Sequence, residues 1–296
     1  MKKIFLILSF VLALGATAQA AELKDISNYK FEKEILTLQA LHIVEGDENN
    51  DFHPTETVKR SEAAKMLMTA FNAEGFQCPQ KTTEFSDVAS SHWASGYIQA
   101  ATDIGYITGM GDGTFQPDAE ITLEQACTLV VRALGYDILA ENSGGYPNGY
   151  LRYAEQLDLK EKLSLANTDA ITRGELAYLF AQAMEAPMIQ SDGIQMQMMS
   201  GRGRGYVCPL SQYRKAYWIR GQITATPRSS SAVRDGWADL DISYARRLGI
   251  EYINQSKVIR CKTVDGSAIN DLLFLTGDFL LKETGEDEYT VIMIVL

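Results

Sequence analysis

The stretch Gly109-Met110-Gly111-Asp112-Gly113-Thr114-Phe115-Gln116-Pro117, with the Ile121-Thr122-Leu123-Glu124-Gln125 that follows it, decides how this chain is read. Its glycines accept the positive φ values of a tight loop. Thr122, with Gln125 three residues on, has the pattern of a capping box, so a helix starts here. Downstream, Ala126, Leu129, Val130, Ala133 and Leu134 make one apolar stripe at helical spacing. Upstream, Tyr97 to Ile104 reads as a first helix leading into the loop through Ile107. The unit is helix, loop, helix.

The unit recurs. The stripe reappears earlier as Ala63, Met66, Leu67, Ala70 and Phe71, and later as Leu176, Leu179, Phe180, Ala183 and Met184. Gly46, Phe52, Pro54 and Val58 match Gly109, Phe115, Pro117 and Ile121, whereas the last copy keeps only Asn167-Thr168-Asp169 before Ile171. Two short helices cannot bury a face alone, so the copies are expected to pack on each other. Thr172-Arg173-Gly174-Glu175 is a second capping box, and Lys59-Arg60-Ser61-Glu62 lacks its hydroxyl. An Arg at a helix N-terminus, with unpaired N–H groups and the positive dipole end, makes a receptor for carboxylate or phosphate. The same Arg can equally pair with a neighbouring Glu on a solvated face.

Bulk properties narrow the function. The formal net charge is −11, and residues 21–190, with 12 basic and 26 acidic residues, carry all of the acidic excess. That argues against nucleic acid, which needs clustered positive charge. Lys2 and Lys3, the apolar run Ile4 to Leu14 and the small residues ending in Ala18-Gln19-Ala20 read as a secretory signal cut after Ala20. The run is too short to span a bilayer. No later segment is long and apolar enough, so no membrane span is expected after cleavage. Of the four cysteines, Cys127 falls on the apolar side of a helix and reads as a buried thiol. Cys208–Cys261 is the disulfide to test first, with Cys78 left over. There is no CxxC spacing and there are only three histidines, so neither metal nor cofactor is expected.

Phe85-Ser86-Asp87-Val88, His92-Trp93-Ala94, the Gly109–Phe115 loop, Pro117 and Ile121-Thr122 together resemble the S-layer homology domain. Ile171-Thr172-Arg173-Gly174-Glu175 resembles that family's Thr-Arg-Ala-Glu signature. The resemblance covers roughly residues 25–186. It implies an all-α pseudo-trimer of three repeats, non-covalently attached to peptidoglycan-linked secondary cell wall polymer through pyruvylated amino-sugars. It assigns ligand-binding roles to Arg60, Asp87, Trp93, Gly109, Gly111 and Arg173. The arginines would hold the ketal carboxylate, Trp93 would stack on a sugar ring, and Asp87 would accept from hydroxyls or orient an Arg. The two glycines would let backbone approach the ligand. The alternative reading of Trp93 is a core residue plugging its repeat. Leu123 stands where the signature has Arg, and the first and last copies lack the Trp, so one or two working grooves are expected.

After Pro187 the pattern changes. Residues 188–205, with Gly201-Arg202-Gly203-Arg204-Gly205, read as a linker. From Tyr206 the runs Tyr217–Thr226, Trp237–Ile242, Ser256–Val264, Phe279–Glu283 and Tyr289–Leu296 read as about five strands, a small antiparallel sheet or barrel. The last run is apolar on both faces and should be central. The fold class is α+β: a signal at 1–20, repeats at 21–75, 82–140 and 141–187, the linker, and a β domain at 206–296. Residues 206–296 hold no histidine, which removes His-based catalysis there. Asp47-Glu48-Asn49-Asn50-Asp51 opens like a calcium loop, but Phe52 takes its glycine position and Val58 its bidentate Glu. The function implied is non-enzymatic anchoring of an exported protein to the bacterial cell wall. The alternatives are a wall-anchored enzyme or a self-assembling surface-layer component, with the activity in the β domain.

Overall fold

A computed structural model describes residues 11–13, 22–191, 196–198, 207–242, 258–263, 271–285 and 288–295. Residues 201–205 of the linker, and 1–20 apart from 11–13, lie outside the described residues. The chain divides into two compact units, one of residues 21–199 and 206–214, the other built mainly of residues 215–296.

The first unit is helical. It contains α1 (Glu32–Ala40), α2 (Arg60–Ala70), α3 (Ser95–Asp103), α4 (Leu123–Ala133), α5 (Asp137–Asn142), α6 (Asn148–Gln156), α7 (Arg173–Glu185) and α8 (Pro209–Arg214). The apolar stripes of α2, α4 and α7 become the core, with Leu67, Val130, Leu179 and Phe180 fully buried. Their starts meet at one point. Val58 N–H donates to the Ile171 carbonyl at 3.1 Å, Ile121 N–H to Val58 at 2.9 Å, and Ile171 N–H to Ile121 at 3.0 Å. The three backbones thus close a ring of hydrogen bonds around buried β-branched side chains. Buried backbone groups must be paired, and here each of three distant segments pairs the next.

Small residues set the packing of the first helix in two segments. A Cβ on Gly96 would lie 2.1 Å from the Pro79 carbonyl oxygen, and one on Gly149 would lie 1.9 Å from that of Ala140. Both glycines sit in the first turn of their helices, so a neighbouring chain passes across the helix where only hydrogen fits.

The helical unit extends past the expected boundary at 187. Ile189–Ser191 (β2) pairs antiparallel with Met196–Met198 (β3), inside the stretch read as linker. Ile189 N–H donates to the Leu134 carbonyl, and Met188 N–H to Val207. In α8, Tyr213 packs on Phe71, and the buried Arg214 donates to the Thr69 carbonyl at the end of α2. Residues 206–214 therefore belong to the helical unit, and the β unit starts at about residue 215. Polar composition suggested a linker, but backbone bonds and one aromatic anchor tie it down.

The second unit holds β4 (Ala216–Ala225), β5 (Trp237–Asp241), β6 (Val258–Thr263), β7 (Thr276–Gly285) and β8 (Glu288–Val295). β4 pairs with β5, β5 with β6, β6 with β8, β8 with β7 and β7 with β4, so the sheet closes on itself. Closure removes exposed edges. The expectation of an antiparallel domain is corrected at one seam: β6 and β8 run parallel, with Cys261 opposite Tyr289. Between them the chain makes the β7 hairpin, which returns β8 in the direction of β6. Ile219, Ile223, Leu240, Ile259, Phe279, Leu281 and Val291 fill the interior. The last strand is central, as its two apolar faces suggest, with β7 on one edge and β6 on the other. Val11–Ala13 (β1), within the stretch read as a secretory signal, lies along the β6 side of β8 beyond the β6 pairing.

The disulfide expectation is also corrected. All four cysteines are free thiols, with Cys261 inside the barrel core and Cys208 packed in the helical unit beside Ser211. Burial pushes the Cys127 and Cys261 thiols up to about 12.

Two outcomes are expected. Gly149→Ala should destabilise the helical unit by about 1–3 kcal/mol through backbone overpacking, read as a lowered thermal midpoint; an unchanged midpoint would contradict the close approach. Mass spectrometry after denaturing alkylation without reductant should find four modified cysteines.

Candidate functional site

The helix starts expected to hold an anion turn out to be occupied by backbone. Arg60 N–H donates to Ala119, Leu123 N–H to Asp169 and Arg173 N–H to Glu56. The next amides repeat the pattern: Ser61 to Pro117, Glu124 to Asn167 and Gly174 to Pro54. The third amides are capped locally. Thr122 accepts from Gln125 at 3.4 Å and Thr172 from Glu175 at 3.3 Å, while Glu62 N–H reaches the Lys59 carbonyl. The first amides of a helix ordinarily lack partners. Here the loop of the next segment supplies them, so the picture of unpaired N–H groups awaiting a ligand is corrected. What remains free for chemistry is side chains.

Two arginines remain. Each lies across the loop of the following segment. Arg60 donates from Nε to the Phe115 carbonyl at 2.9 Å, with its guanidinium 4.7 Å above the Phe115 ring. Arg173 donates to the Phe52 carbonyl at 2.8 Å, 4.8 Å above the Phe52 ring. Neither forms an ion pair with a described carboxylate within 4.0 Å. The alternative of an Arg–Glu surface pair is not what forms. Arg60 is only 8% exposed, and burial pushes its guanidinium below its ordinary value, with Tyr146 and Asp87 opposing.

Two cavities open beside these arginines. One, of about 300 Å³, is lined by Arg173, Gly46, Phe52, the α2 face at Glu62, Lys65 and Met66, and Trp93. Three segments thus contribute to it, and Trp93 is 46% exposed, which rules out its reading as a core plug. His92 stacks on the Trp93 ring at 5.7 Å. The other, of about 330 Å³, is lined by Arg60, Gly109, Met110, the α4 face at Gln125, Thr128 and Arg132, and Tyr146. Tyr146 was missed by sequence reasoning. The signal was present: Tyr146-Pro147-Asn148-Gly149-Tyr150 matches Trp93-Ala94-Ser95-Gly96-Tyr97 in its aromatics and its obligatory glycine. Arg132 was missed too, because it follows the stripe and not the motif.

Asp87 lines neither cavity. Its two oxygens accept the Phe115 and Gln116 amides at 2.8 and 2.7 Å, and Asp25 does the same for Phe52 and His53 at 2.7 and 2.6 Å. Each Asp latches the loop on which an arginine rests. Gly109 lines the second cavity, and a Cβ there would lie 2.5 Å from the Phe85 ring. Gly111 holds φ +91° with open space around it, so the turn requires it. At the third helix start Leu123 is buried, and Lys30, which corresponds to Trp93, pairs at 3.2 Å with Glu175, the counterpart of Glu62 and Gln125. Asp47, the first residue of the calcium-like stretch, accepts its own loop's Asn49 and Asp51 amides. In the barrel, Asp239 is held by Arg260 at 2.6 Å.

Comparison with known proteins agrees with this geometry. The S-layer homology domain model matches residues 22–64 and 84–127. These two segments of the chain belong to the S-layer homology domain family. A "Cell surface protein" of Thermoanaerobacter kivui is 32% identical over 184 residues, 62% of this chain and 23% of that protein. A "Middle cell wall protein" of Brevibacillus brevis is 27% identical over 180 residues, 60% of this chain and 17% of that one. "Endo-1,4-beta-xylanase A" of Thermoanaerobacterium saccharolyticum is 34% identical over 111 residues, 38% of this chain and 9% of that enzyme. The chain thus spans less than a quarter of the length of these relatives. It is an exported cell-surface protein of a bacterium. Among the described residues no helix is long and apolar enough to cross a membrane.

The loop under Arg173 carries a titratable clasp. Backbone hydrogen bonds from its own loop, with His53, hold the Asp47 carboxyl down at about 2, and Asp47 in turn raises His53. A depressed acid contributes above its unfolded value and loses that contribution as pH falls; a raised histidine contributes below its unfolded value and loses it as pH rises. The loop should be held best between about pH 4 and about pH 6.5. NMR titration should place the Asp47 midpoint near 2; a midpoint near the ordinary Asp value would show the clasp absent in solution.

Proposed function

We propose that this protein anchors itself to the bacterial cell wall without catalysis, by binding secondary cell wall polymer in the grooves beside Arg173 and Arg60. The observation that carries the reading is the pairing of a guanidinium free of carboxylate partners with an exposed aromatic across each cavity, Arg173 with Trp93 and Arg60 with Tyr146. A sugar ring packs its apolar face on such an aromatic while the guanidinium takes a carboxylate or donates to sugar hydroxyls. The ligand that fits is a pyruvylated amino-sugar. The three segments are read as three repeats of a pseudo-trimer, supported by the closed backbone ring at Val58, Ile121 and Ile171. Repeat boundaries at 21–75, 82–140 and 141–187 follow, with the signal at 1–20 removed on export.

In this reading Asp87, Gly109 and Gly111 are positioning residues, since they shape the loop under Arg60 and leave ligand contact to the side chains across the cavity. The β unit is the anchored part, and the assignment as a non-enzyme extends to it.

The full chain should co-sediment with walls that retain secondary polymer and stay in solution with walls stripped of it. Equal sedimentation with both would overturn the proposal. Arg60→Gln combined with Arg173→Gln should reduce wall binding by at least about tenfold, with the circular dichroism of the helices retained.

A further inference from the structure

The two grooves are built from corresponding positions but differ in charge. We infer that they divide the polymer between them: the Arg60–Tyr146 groove selects a carboxylate- or phosphate-bearing sugar, and the Arg173–Trp93 groove takes an uncharged sugar residue. This rests on the wall-polymer reading above.

In the Arg173 groove, Glu45 and Glu62 line the cavity together with Lys65 and Arg173, so opposite charges stand in balance. In the other groove the corresponding positions are Thr108, Gln125 and Thr128, and the lining holds Arg60 and Arg132 with no carboxylate. Two carboxylates have become a hydroxyl and an amide, and Thr69 has become Arg132. Carboxylates do stand behind this lining: Asp137 pairs with Arg132 at 2.9 Å, Glu141 lies 3.9 Å from it, and Glu124 accepts the Tyr146 hydroxyl at 3.0 Å. They neutralise Arg132 and engage Tyr146, which leaves Arg60 as the cation of this lining without an ion-pair partner, with Asp87 acting on it only from behind the loop.

Arg60 is more than nine-tenths buried, donates only Nε to a described acceptor, and faces this cavity. An anion entering there meets a guanidinium already stripped of most of its water, where charge–charge attraction is stronger than at an exposed site. The opposite holds for the Arg173 groove. Glu62 would repel an anion, yet offers an acceptor to sugar hydroxyls beside the broader indole face of Trp93. Tyr146 supplies a smaller platform with a polar tip, suited to a ring that also carries charge.

The helix start at Leu123 takes no part. Leu123 replaces the arginine, and Lys30 is already paired with Glu175.

The test uses the full chain and three probes: an uncharged N-acetylated amino-sugar oligosaccharide, the same oligosaccharide bearing a terminal pyruvyl ketal, and a phosphorylated version. Calorimetry at two salt concentrations reads binding. The informative variant is Gln125→Glu, because it places in this groove the residue that the Arg173 groove already has. The same change preserves the cap, since Glu holds that cap position at Lys59 and Thr172. It should weaken the charged probes about tenfold and leave the uncharged probe and the thermal midpoint unchanged. Trp93→Ala should do the reverse. A tighter phosphorylated or a tighter pyruvylated probe names the source of the anion, and either supports the division.

Equal loss on both kinds of probe in Gln125→Glu, or no loss on either, would overturn it. So would binding of polymer-bearing walls by a chain that binds none of the probes. Failure to bind such walls at all would instead bring down the wall-polymer reading itself.

Discussion

Three backbone hydrogen bonds carry the helical unit: Val58 to Ile171, Ile121 to Val58, and Ile171 to Ile121. They join segments far apart in sequence, and each is sealed by a buried β-branched side chain. An isolated bond of this kind contributes about 0.5–1.5 kcal/mol net, but breaking one inside a core leaves a donor and an acceptor unpaired, which costs more. No segment can therefore leave the ring cheaply. The neighbouring bonds extend the constraint, because the first amides of α2, α4 and α7 all donate into the loop of the next segment. Those loops hold their shape because each helix start needs them, and each helix start is capped because the loops are there.

This arrangement decides where recognition can occur. With the first helical amides consumed by the ring, an anion cannot be held by backbone N–H groups at these termini. What such a terminus can still offer a ligand is the side chain at the first helical position, which the ring places over the neighbouring loop. Arg60 and Arg173 accordingly use one nitrogen to grip a loop carbonyl and rest on that loop's Phe. The grip fixes the guanidinium, so little side-chain entropy remains to be lost when a ligand binds. Asp87 and Asp25 act one step further back, holding the loop amides and with them the carbonyls that the arginines use.

Much of this was legible in the sequence, for identifiable reasons. Apolar stripes at helical spacing and the capping boxes declared α2, α4 and α7 nearly to the residue. Alternating apolar runs declared the five strands of the barrel. What was not legible depended on long-range pairing. The parallel β6–β8 seam is a matter of connectivity, which local alternation does not encode. The attachment of α8 rests on Tyr213 and Arg214, two residues in a stretch whose neighbours are glycine-rich. Tyr146 was hidden because a different aromatic stands at the position of Trp93 and a proline follows it. Only the shared glycine, at the tight helix crossing, exposes the correspondence. The occupied helix amides could not have been foreseen either, since their acceptors lie in other segments.

The divergence among the three segments follows from the same backbone ring. Bonds between main-chain groups make little demand on side-chain identity beyond apolar bulk at Val58, Ile121 and Ile171. The fold can therefore persist while the groove side chains change: arginine to leucine at one helix start, tryptophan to tyrosine at one platform, glutamate to glutamine at one lining position. Gly96 and Gly149 mark the opposite case, because there the partner is a carbonyl oxygen about 2 Å from where a Cβ would sit, and backbone cannot yield as a side chain can. Positions that touch backbone are thus fixed, and positions that touch only the cavity are free to differ. Unlike grooves on a common frame are the natural product of that separation, since the side chains that line one cavity can change without loss of stability in the rest.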